Sequence, residues 1–162
     1  MVADFDVLAP GVLVFRRAGL ADLDSVAGLQ GALRLELGTP RQAGAARRAL
    51  DNYPALYAAN LAAHFLAVAD RRVVAIAGAF IPSDPPCGLP AQHRHGLLGD
   101  AYTRPDWRGQ GLGRRLSFEA IEWLRGQGVA EVRLTADGNS RRLYESFGFK
   151  ASSAGMVLRI AR

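Results

Sequence analysis

The chain has 162 residues, of which 49% are apolar, 22% are charged and one, Cys87, is cysteine. This length and apolar content suffice for one domain with a core that needs no metal or disulfide, and a lone cysteine excludes an intramolecular disulfide and a cysteine metal cluster. The formal charge of +5 comes almost entirely from arginines dispersed in pairs, a pattern that argues against a nucleic-acid-binding arm and suits a small polyanionic ligand.

The chain carries no signal of export or membrane insertion. Residues 1–6 include two aspartates and no basic residue, and the apolar runs are too short to span a bilayer. With a single cysteine, a cytoplasmic protein is the natural interpretation. No linker or internal repeat divides the sequence, so we expect residues 1–162 to form a single domain.

The first third of the chain predicts a strand followed by helices. A β-branched and aromatic run at 12–16 predicts the strand, and apolar residues at helical spacing over 22–37 predict the first helix. A second helix is expected at 41–51. Pro54 is expected to restart or kink a third helical piece that ends near Ala62.

The remaining elements alternate between strands and helices. Residues 64–69 and 72–81 predict a hairpin, 82–95 a loop and 97–103 a strand. The last part predicts a helix at 111–126, a strand at 130–135, a short helix capped by Asn139 or Ser140, and a closing strand at 156–160. This order indicates an α/β or α+β sandwich built on a mixed sheet.

A glycine-rich turn joins the strand at 97–103 to the helix at 111–126, with the sequence Arg108-Gly109-Gln110-Gly111-Leu112-Gly113. Glycines let the backbone approach a ligand closely, and the unpaired N–H groups of a first helical turn favour a phosphate. It is not a Walker loop, because no Gly-Lys-Ser/Thr follows, and Arg108 stands where the dinucleotide fingerprint requires glycine. The turn therefore predicts a pyrophosphate site, although a turn that merely permits tight packing would carry the same glycines.

Two segments together resemble the GNAT-type N-acetyltransferase superfamily. Arg108, Gly111 and Gly113 match its R/Q-x-x-G-x-G/A signature, and Leu-Tyr-Glu-Ser-Phe-Gly-Phe at 143–149 matches its Leu-Tyr-Glu-x-x-Gly-Phe segment in the expected order. The resemblance is close over 97–160. It implies a GNAT-like α/β (α+β) fold with a central mixed, mostly antiparallel twisted sheet of about six to seven strands, flanked by about four helices.

The resemblance also implies acetyl-CoA as cosubstrate and no metal. The pantetheine arm would lie between splayed strands at 97–103 and 130–135, with one backbone N–H polarising the thioester carbonyl. Many relatives have an asparagine seven residues before the tyrosine; here it is Asp137, which accepts but cannot donate a hydrogen bond. The residues expected to bind the cofactor are Ala101, Tyr102, Thr103, Arg108, Gly109, Gln110, Gly111, Leu112, Gly113, Arg114, Asn139 and Arg141.

The implied reaction is direct attack of an amine on the thioester in a ternary complex. Tyr144 matches the family's tyrosine near the sulfur, where a phenol can protonate the leaving thiolate; a tyrosine that packs the short helix onto the sheet is the alternative. Asp100 is the candidate for deprotonating the amine, although Gly99 replaces an acidic residue often found just before it. His93 and His95, expected to precede the strand, could act through water, and a structural role is the alternative for each.

The acceptor is expected to be a primary amine of a small molecule or peptide, selected mainly by residues 22–62 and 82–95. Aromatic and histidine side chains at these spacings are typical of a core, yet they are also candidates to line a pocket. These candidates are Tyr53, Tyr57, His64 and Trp107.

Two other functions and one partner stay open. A non-catalytic acyl-CoA-binding sensor or interaction module of the same fold would carry the same glycine turn. A basic nucleic-acid-binding domain would show steeply salt-dependent binding, but the dispersed arginines argue against it, and no nucleic-acid partner is expected. Similar proteins frequently dimerise, so a homodimer is the protein partner to consider.

Overall fold

A computed structural model describes residues 12–38, 44–82, 95–136, 138 and 140–151 of the chain. Within them, four α-helices pack on one five-stranded sheet. The strands are β1 Leu13–Arg17, β2 Ala62–Ala69, β3 Arg72–Phe80, β4 His95–Thr103 and β5 Glu131–Arg133. The helices are α1 Leu23–Glu36, α2 Ala45–Ala58, α3 Leu112–Gly126 and α4 Arg141–Glu145, and short 3-10 turns occupy Leu20–Asp22 and Pro105–Trp107.

The strands follow one another across the sheet in the order β1-β2-β3-β4-β5. The first three pairs are antiparallel, and only β4 and β5 run parallel. The mixed, mostly antiparallel sheet and the four flanking helices are thus confirmed. The described residues hold five strands rather than six or seven, and the predicted closing strand at 156–160 lies outside them.

Both faces of the sheet are covered, which explains why β2 and β3 are apolar at almost every position. Alternate residues of β2 point to opposite faces. Phe65 packs in the cluster that holds Leu116 and Leu124 of α3, whereas Leu66 packs in the cluster that holds Val26 and Leu29 of α1. The sheet is therefore a middle layer, with α3 on one side and α1 and α2 on the other.

The two helical pieces predicted on either side of Pro54 form one helix, so that prediction was wrong. Pro54 lies inside the continuous helix α2, and Ala62 already belongs to β2. A proline removes one backbone hydrogen bond and crowds the preceding turn. Packing of α2 against α1 and β2 outweighs this local cost, because tertiary contacts supply most of a helix's stability in a protein.

Other element ends differ from prediction by a few residues. The helix at 111–126 is confirmed, whereas β5 covers only three residues of the predicted strand at 130–135. His95 was placed before the strand, and this was wrong: it is the first residue of β4 and pairs with Glu131. In the described part of the chain, no helix has the length and apolar character needed to cross a membrane.

Candidate active site

A cleft opens where β4 and β5 separate. The two strands pair only from His95–Glu131 to Leu97–Arg133, and β4 then continues to Thr103. The cleft has a volume of about 390 Å³ and is lined by residues 98–103 along this unpaired edge. Its other walls are formed by Leu33, Leu37, Gly113, Ser117, Thr135, Ala136, Ser140, Leu143 and Tyr144.

A β-bulge shapes the wall that β4 contributes. Gly78 of β3 pairs with Gly99, but Ile76 pairs with Tyr102, so two residues of β4 stand opposite one residue of β3. Asp100 lies in this bulge with a φ of 52°, a conformation that few non-glycine residues adopt. Bulges of this kind re-aim side chains, and here the change of register accompanies the turn of the Asp100 carboxylate toward α1 and β2.

The glycine-rich turn lies between the end of β4 and the start of α3. Gly109 and Gly111 have φ values of 73° and 78°, which an L side chain would strain. Gly111 caps α3 without a side-chain hydrogen bond, and Leu112 is buried, which anchors the turn in the core. A Cβ at Gly113 would lie 3.8 Å from Thr103 Oγ1, so the helix begins close against the end of β4.

Arg108 ties this turn to α1 and β4. Its Nη2 donates to Glu36 Oε2 at 2.7 Å, its Nε donates to the carbonyl of Thr103 at 3.0 Å, and its guanidinium lies 5.6 Å from the centre of the Tyr102 ring. The hydrogen bond from Arg108 lowers the pKa of Glu36. Both side chains are 45% exposed, so the pair lies within reach of solvent and of a ligand.

The other two arginines assigned to the cofactor also contact protein groups. Arg114 donates to Ser146 Oγ at 2.7 Å and lies 5.1 Å from the centre of the Phe147 ring, while Arg141 donates to Glu145 at 2.8 Å. Each of these contacts is at the surface. Gln110 is exposed, and Asn139, like Asp137, lies outside the described residues.

Tyr144 stands on α4 at the opposite wall of the cleft. Its side chain is 7% exposed, its ring meets Phe149 edge-on at 5.9 Å, and it belongs to the main hydrophobic cluster. Ser117 of α3 lines the same cleft with a fully buried Oγ that has no hydrogen-bond partner in the described part of the chain. The sequence analysis missed Ser117, since a serine inside an amphipathic helix has no distinguishing pattern.

Asp100 belongs to a buried network of five side chains drawn from four elements. Its Oδ2 receives Gln30 Nε2 at 2.6 Å and lies 3.1 Å from His64 Nε2. The same Gln30 nitrogen donates to Tyr53 Oη at 2.6 Å, and Tyr57 Oη lies 2.7 Å from His64 Nδ1. His64 is fully buried and Gln30 is 2% exposed, whereas the Asp100 side chain is 22% exposed and lines the cleft.

The electrostatics of the network keep Asp100 ionised. Burial on its own favours the neutral acid, but the hydrogen bonds from His64 and Gln30 outweigh it, so the pKa of Asp100 lies below its ordinary value. Burial raises the pKa of Tyr53 to about 12, and it raises the pKa of Tyr57 as well. The network therefore presents an anionic Asp100 to the cleft, held by hydrogen bonds from His64 and Gln30.

The sequence analysis proposed Asp100 as a site residue but did not predict which side chains contact it. Tyr53, Tyr57 and His64 were candidates to line a pocket, with a place in the core as the alternative, and Gln30 was not singled out. The available signal was weak: a glutamine on the apolar face of a helix and a histidine within an apolar strand. Of the two histidines proposed as alternatives to Asp100, His95 lies at the paired end of β4 and is absent from the cleft lining, and His93 lies outside the described residues.

The residues of this site fall within a match to a known protein family. The model described as "Acetyltransferase (GNAT) family" matches residues 32–149, more than half of the chain and including the glycine turn, Asp100 and Tyr144. The chain belongs to the acetyltransferase (GNAT) family. Sequence relatives of this GNAT chain include mycothiol acetyltransferases from Nocardiopsis dassonvillei, 46% identical over 58 residues, and Thermobifida fusca, 39% identical over 59 residues. These segments cover 32% and 33% of this chain but only 18% of each relative.

Solved structures share the GNAT fold over nearly the whole chain. A predicted acetyltransferase from Clostridium acetobutylicum, solved with acetyl-CoA, superposes with a TM-score of 0.81 at 18% identity, covering 91% of this chain and 96% of that one. An acetyltransferase from Trypanosoma brucei has a TM-score of 0.68 at 26% identity, with 92% and 100% covered. An aminoglycoside N-acetyltransferase in complex with CoA has a TM-score of 0.71 at 18% identity, with 95% and 98% covered.

Proposed function

We propose that this chain is a cytoplasmic N-acetyltransferase that moves an acetyl group from acetyl-CoA to a primary amine of a small molecule or peptide. The amine attacks directly in a ternary complex, and residues 1–162 act as a single domain. The observation that carries the proposal is one cleft, in a GNAT-family chain, lined by both an ionised carboxylate, Asp100, and a buried phenol, Tyr144.

The residues around the cleft fit acetyl-CoA as cosubstrate. Tyr102 and Thr103 of β4 pair with β3 on one side, Ala101 lies in the bulge before them, and the other edge of this segment faces the cleft because pairing with β5 ends at Leu97. That edge can hydrogen-bond an extended amide chain such as pantetheine. The first turn of α3 and the guanidinium groups of Arg108 and Arg114 suit a pyrophosphate. Bound there, acetyl-CoA supplies an activated acetyl thioester, and the proposal includes no metal.

Tyr144 is the proposed acid. Thiolate departure leaves a negative charge on sulfur, and a phenol held within hydrogen-bond reach can deliver a proton as that charge develops. Its burial limits competition from water, since Tyr144 packs in the main hydrophobic cluster. One backbone N–H on the cleft-facing edge of residues 101–103 is the proposed donor to the thioester carbonyl oxygen.

Asp100 is the proposed partner of the amine. Its lowered pKa makes it a weak base toward a free ammonium ion, but it stays anionic and can accept an N–H from the acceptor. As the carbon–nitrogen bond forms, the nitrogen becomes positively charged and much more acidic. Asp100 can then receive the proton that leaves the nitrogen, while Tyr144 protonates the sulfur.

The test is calorimetric titration of acetyl-CoA, followed by a thiol-release assay with a panel of amines. The wild type should bind acetyl-CoA, and an Arg108→Ala, Gly111→Ala double variant should lose binding. Gly126→Ala is the matched control, because Gly126 ends α3 with no atom near its Cβ position. Binding without thiol release from any amine would favour a non-catalytic acyl-CoA-binding module, and no binding to the wild type would overturn the proposal.

A further inference from the structure

His64 fills a space beside a glycine of the neighbouring strand. It lies fully buried in β2, directly across from Gly78 of β3. A Cβ at Gly78 would come within 3.1 Å of His64 Nε2 and 2.8 Å of the Phe80 ring, so the missing side chain makes room for both rings. The imidazole meets Tyr53 and Phe80 edge-on, at 4.9 and 5.4 Å between ring centres. A polar ring buried this completely is stable only if its nitrogens are hydrogen-bonded.

The two hydrogen-bond partners of His64 determine which nitrogen carries the proton. Tyr57 Oη lies 2.7 Å from Nδ1, and its raised pKa means that the hydroxyl keeps its proton and can donate it. Asp100 Oδ2 lies 3.1 Å from Nε2 and can only accept. In the neutral ring the proton is therefore on Nε2, and in the imidazolium both nitrogens are protonated. In either state an N–H points from His64 to Asp100.

Other charged and titratable groups near His64 and Asp100 come from α1, α2, the end of β1 and the 3-10 turn before α1. Arg34 acts on the charge of Asp100 from α1, and Tyr53 contacts the network from α2. The charge of Arg17 lowers the pKa of Tyr57, whereas the charge of Asp22 raises it. His64 and Gln30 donate hydrogen bonds to Asp100, the Tyr53 hydroxyl also interacts with its carboxylate, and of the two donors only His64 can change its charge.

We propose that His64 is a positioning residue of the acetyl-transfer reaction: its Nε2–H holds the Asp100 carboxylate toward the amine as an anion, and Tyr57 keeps the imidazole proton on Nε2. The inference rests on the proposed function, in which Asp100 accepts from the amine. It goes further by assigning a role to a buried residue that cannot itself touch a ligand in the cleft. The acceptor is accordingly one whose neutral amine presents an N–H donor to Asp100.

Loss of the His64 Nε2–H is expected to change the pKa of Asp100. Burial of Asp100 favours its neutral form, so removing the His64 donor raises the pKa of the carboxyl group. A protonated Asp100 no longer presents an anion to the amine, and the acidic limb of the kcat/KM profile for the amine then moves to higher pH. Acetyl-CoA affinity stays unchanged, because none of the residues assigned to acetyl-CoA contacts His64 in the network.

A matched pair of variants separates positioning from packing. The side-chain amide of glutamine can place its nitrogen near the Nε2 position, whereas the shorter asparagine reaches only the Nδ1 position. We expect His64→Asn to lower kcat/KM for the amine at acidic pH by up to about 100-fold, the cost of a misplaced reacting group. His64→Gln should stay within a few-fold of wild type, and both should bind acetyl-CoA as the wild type does. Equal losses in the two variants, or identical pH profiles in all three proteins, would overturn the inference.

A second measurement on the wild type does not depend on catalysis or on the folding of any variant. Long-range ¹H–¹⁵N NMR spectra should show His64 with a protonated Nε2, and the ¹³C signal of the Asp100 carboxyl group should titrate below its ordinary range. A neutral His64 protonated on Nδ1 alone would overturn the inference. Failure of the proposed function is seen separately, as absence of acetyl-CoA binding or thiol release by the wild type.

Discussion

The two sides of the cleft are assembled in different ways. The proposed phosphate side is one continuous stretch, residues 108–114, in which the backbone makes most of the expected contacts and glycines supply the required φ values. The proposed amine side is a set of side chains from α1, α2, β2 and β4, namely Gln30, Tyr53, Tyr57, His64 and Asp100. A backbone site is visible as a motif because its residues are adjacent in sequence, whereas a side-chain network appears only once the chain is folded.

The difference also concerns exposure and charge. Arg108, with its partner Glu36, is 45% exposed, so its contacts can be exchanged for a ligand at little cost. His64 is fully buried, and its contacts cannot be exchanged without leaving buried polar atoms unpaired. We therefore expect changes on the phosphate side to alter binding, and changes on the amine side to alter stability and pH dependence together.

The largest expected effect is the loss of the proposed acid. Tyr144→Phe keeps the buried ring that packs on Phe149 but removes the hydroxyl group that would donate the proton. We therefore expect kcat to fall by about 10²–10⁴-fold. Steady-state kinetics with the best amine of the panel would measure it, and calorimetry should show unchanged acetyl-CoA affinity. An unchanged kcat would mean that another group protonates the thiolate and that Tyr144 serves packing.

The second effect is a pH-dependent loss of stability in Asp100→Asn. The folded pKa of Asp100 is lowered, so its contribution is present above the unfolded pKa near 4 and is lost as pH falls through the folded value. Near neutral pH, the variant should lose about 1.5–3 kcal/mol of unfolding free energy, the worth of hydrogen bonds to a charged group. Urea unfolding at several pH values should show that the difference in unfolding free energy between the two proteins narrows below about pH 4. A difference that stays constant with pH would contradict an ionised Asp100.

The third effect tests the space that β3 leaves for His64. Gly78→Ala places a methyl group 2.8 Å from the Phe80 ring and 3.1 Å from His64 Nε2, so the rings must shift, and the unfolding free energy should fall by about 1–3 kcal/mol. Gly99→Ala, directly opposite on β4, meets Phe80 at 3.6 Å, an ordinary contact, and is the control. Equal stability of the two variants would show that the rings around Gly78 are free to rearrange.

The smallest effect concerns the phosphate side. Glu36→Gln removes the charged partner of Arg108, which should raise acetyl-CoA affinity by about two- to five-fold, because the exposed pair no longer competes with the pyrophosphate. Glu122→Gln breaks a surface ion pair with Arg125 at the far end of α3 and should leave affinity unchanged. If calorimetry shows the same affinity for both variants, Arg108 does not leave Glu36 to bind the ligand.

Much of the fold could be predicted because its elements have strong local periodicity. The amphipathic pattern of α3 predicted its ends, and the apolar runs predicted β2 and β3 as a hairpin. The prediction failed at Pro54, where packing against α1 and β2 carries one helix through a residue that locally disfavours it. It also failed at the end of the loop before β4, since strand pairing of His95 depends on a partner, Glu131, that is distant in sequence.

The sequence by itself determined the strand–turn–helix segment of the proposed phosphate side: a strand, a turn whose glycines reach left-handed φ values, and a helix that begins directly after it. These are properties of neighbouring residues, and local sterics suffice to specify them. Only the tertiary structure decided what surrounds Asp100. The bulge in β4, the space opposite Gly78 and the approach of α1 and α2 bring Gln30, His64 and Asp100 together across separations of 36 and 70 residues. Hydrogen bonds of that range depend on how sheet and helices pack, which no local pattern records.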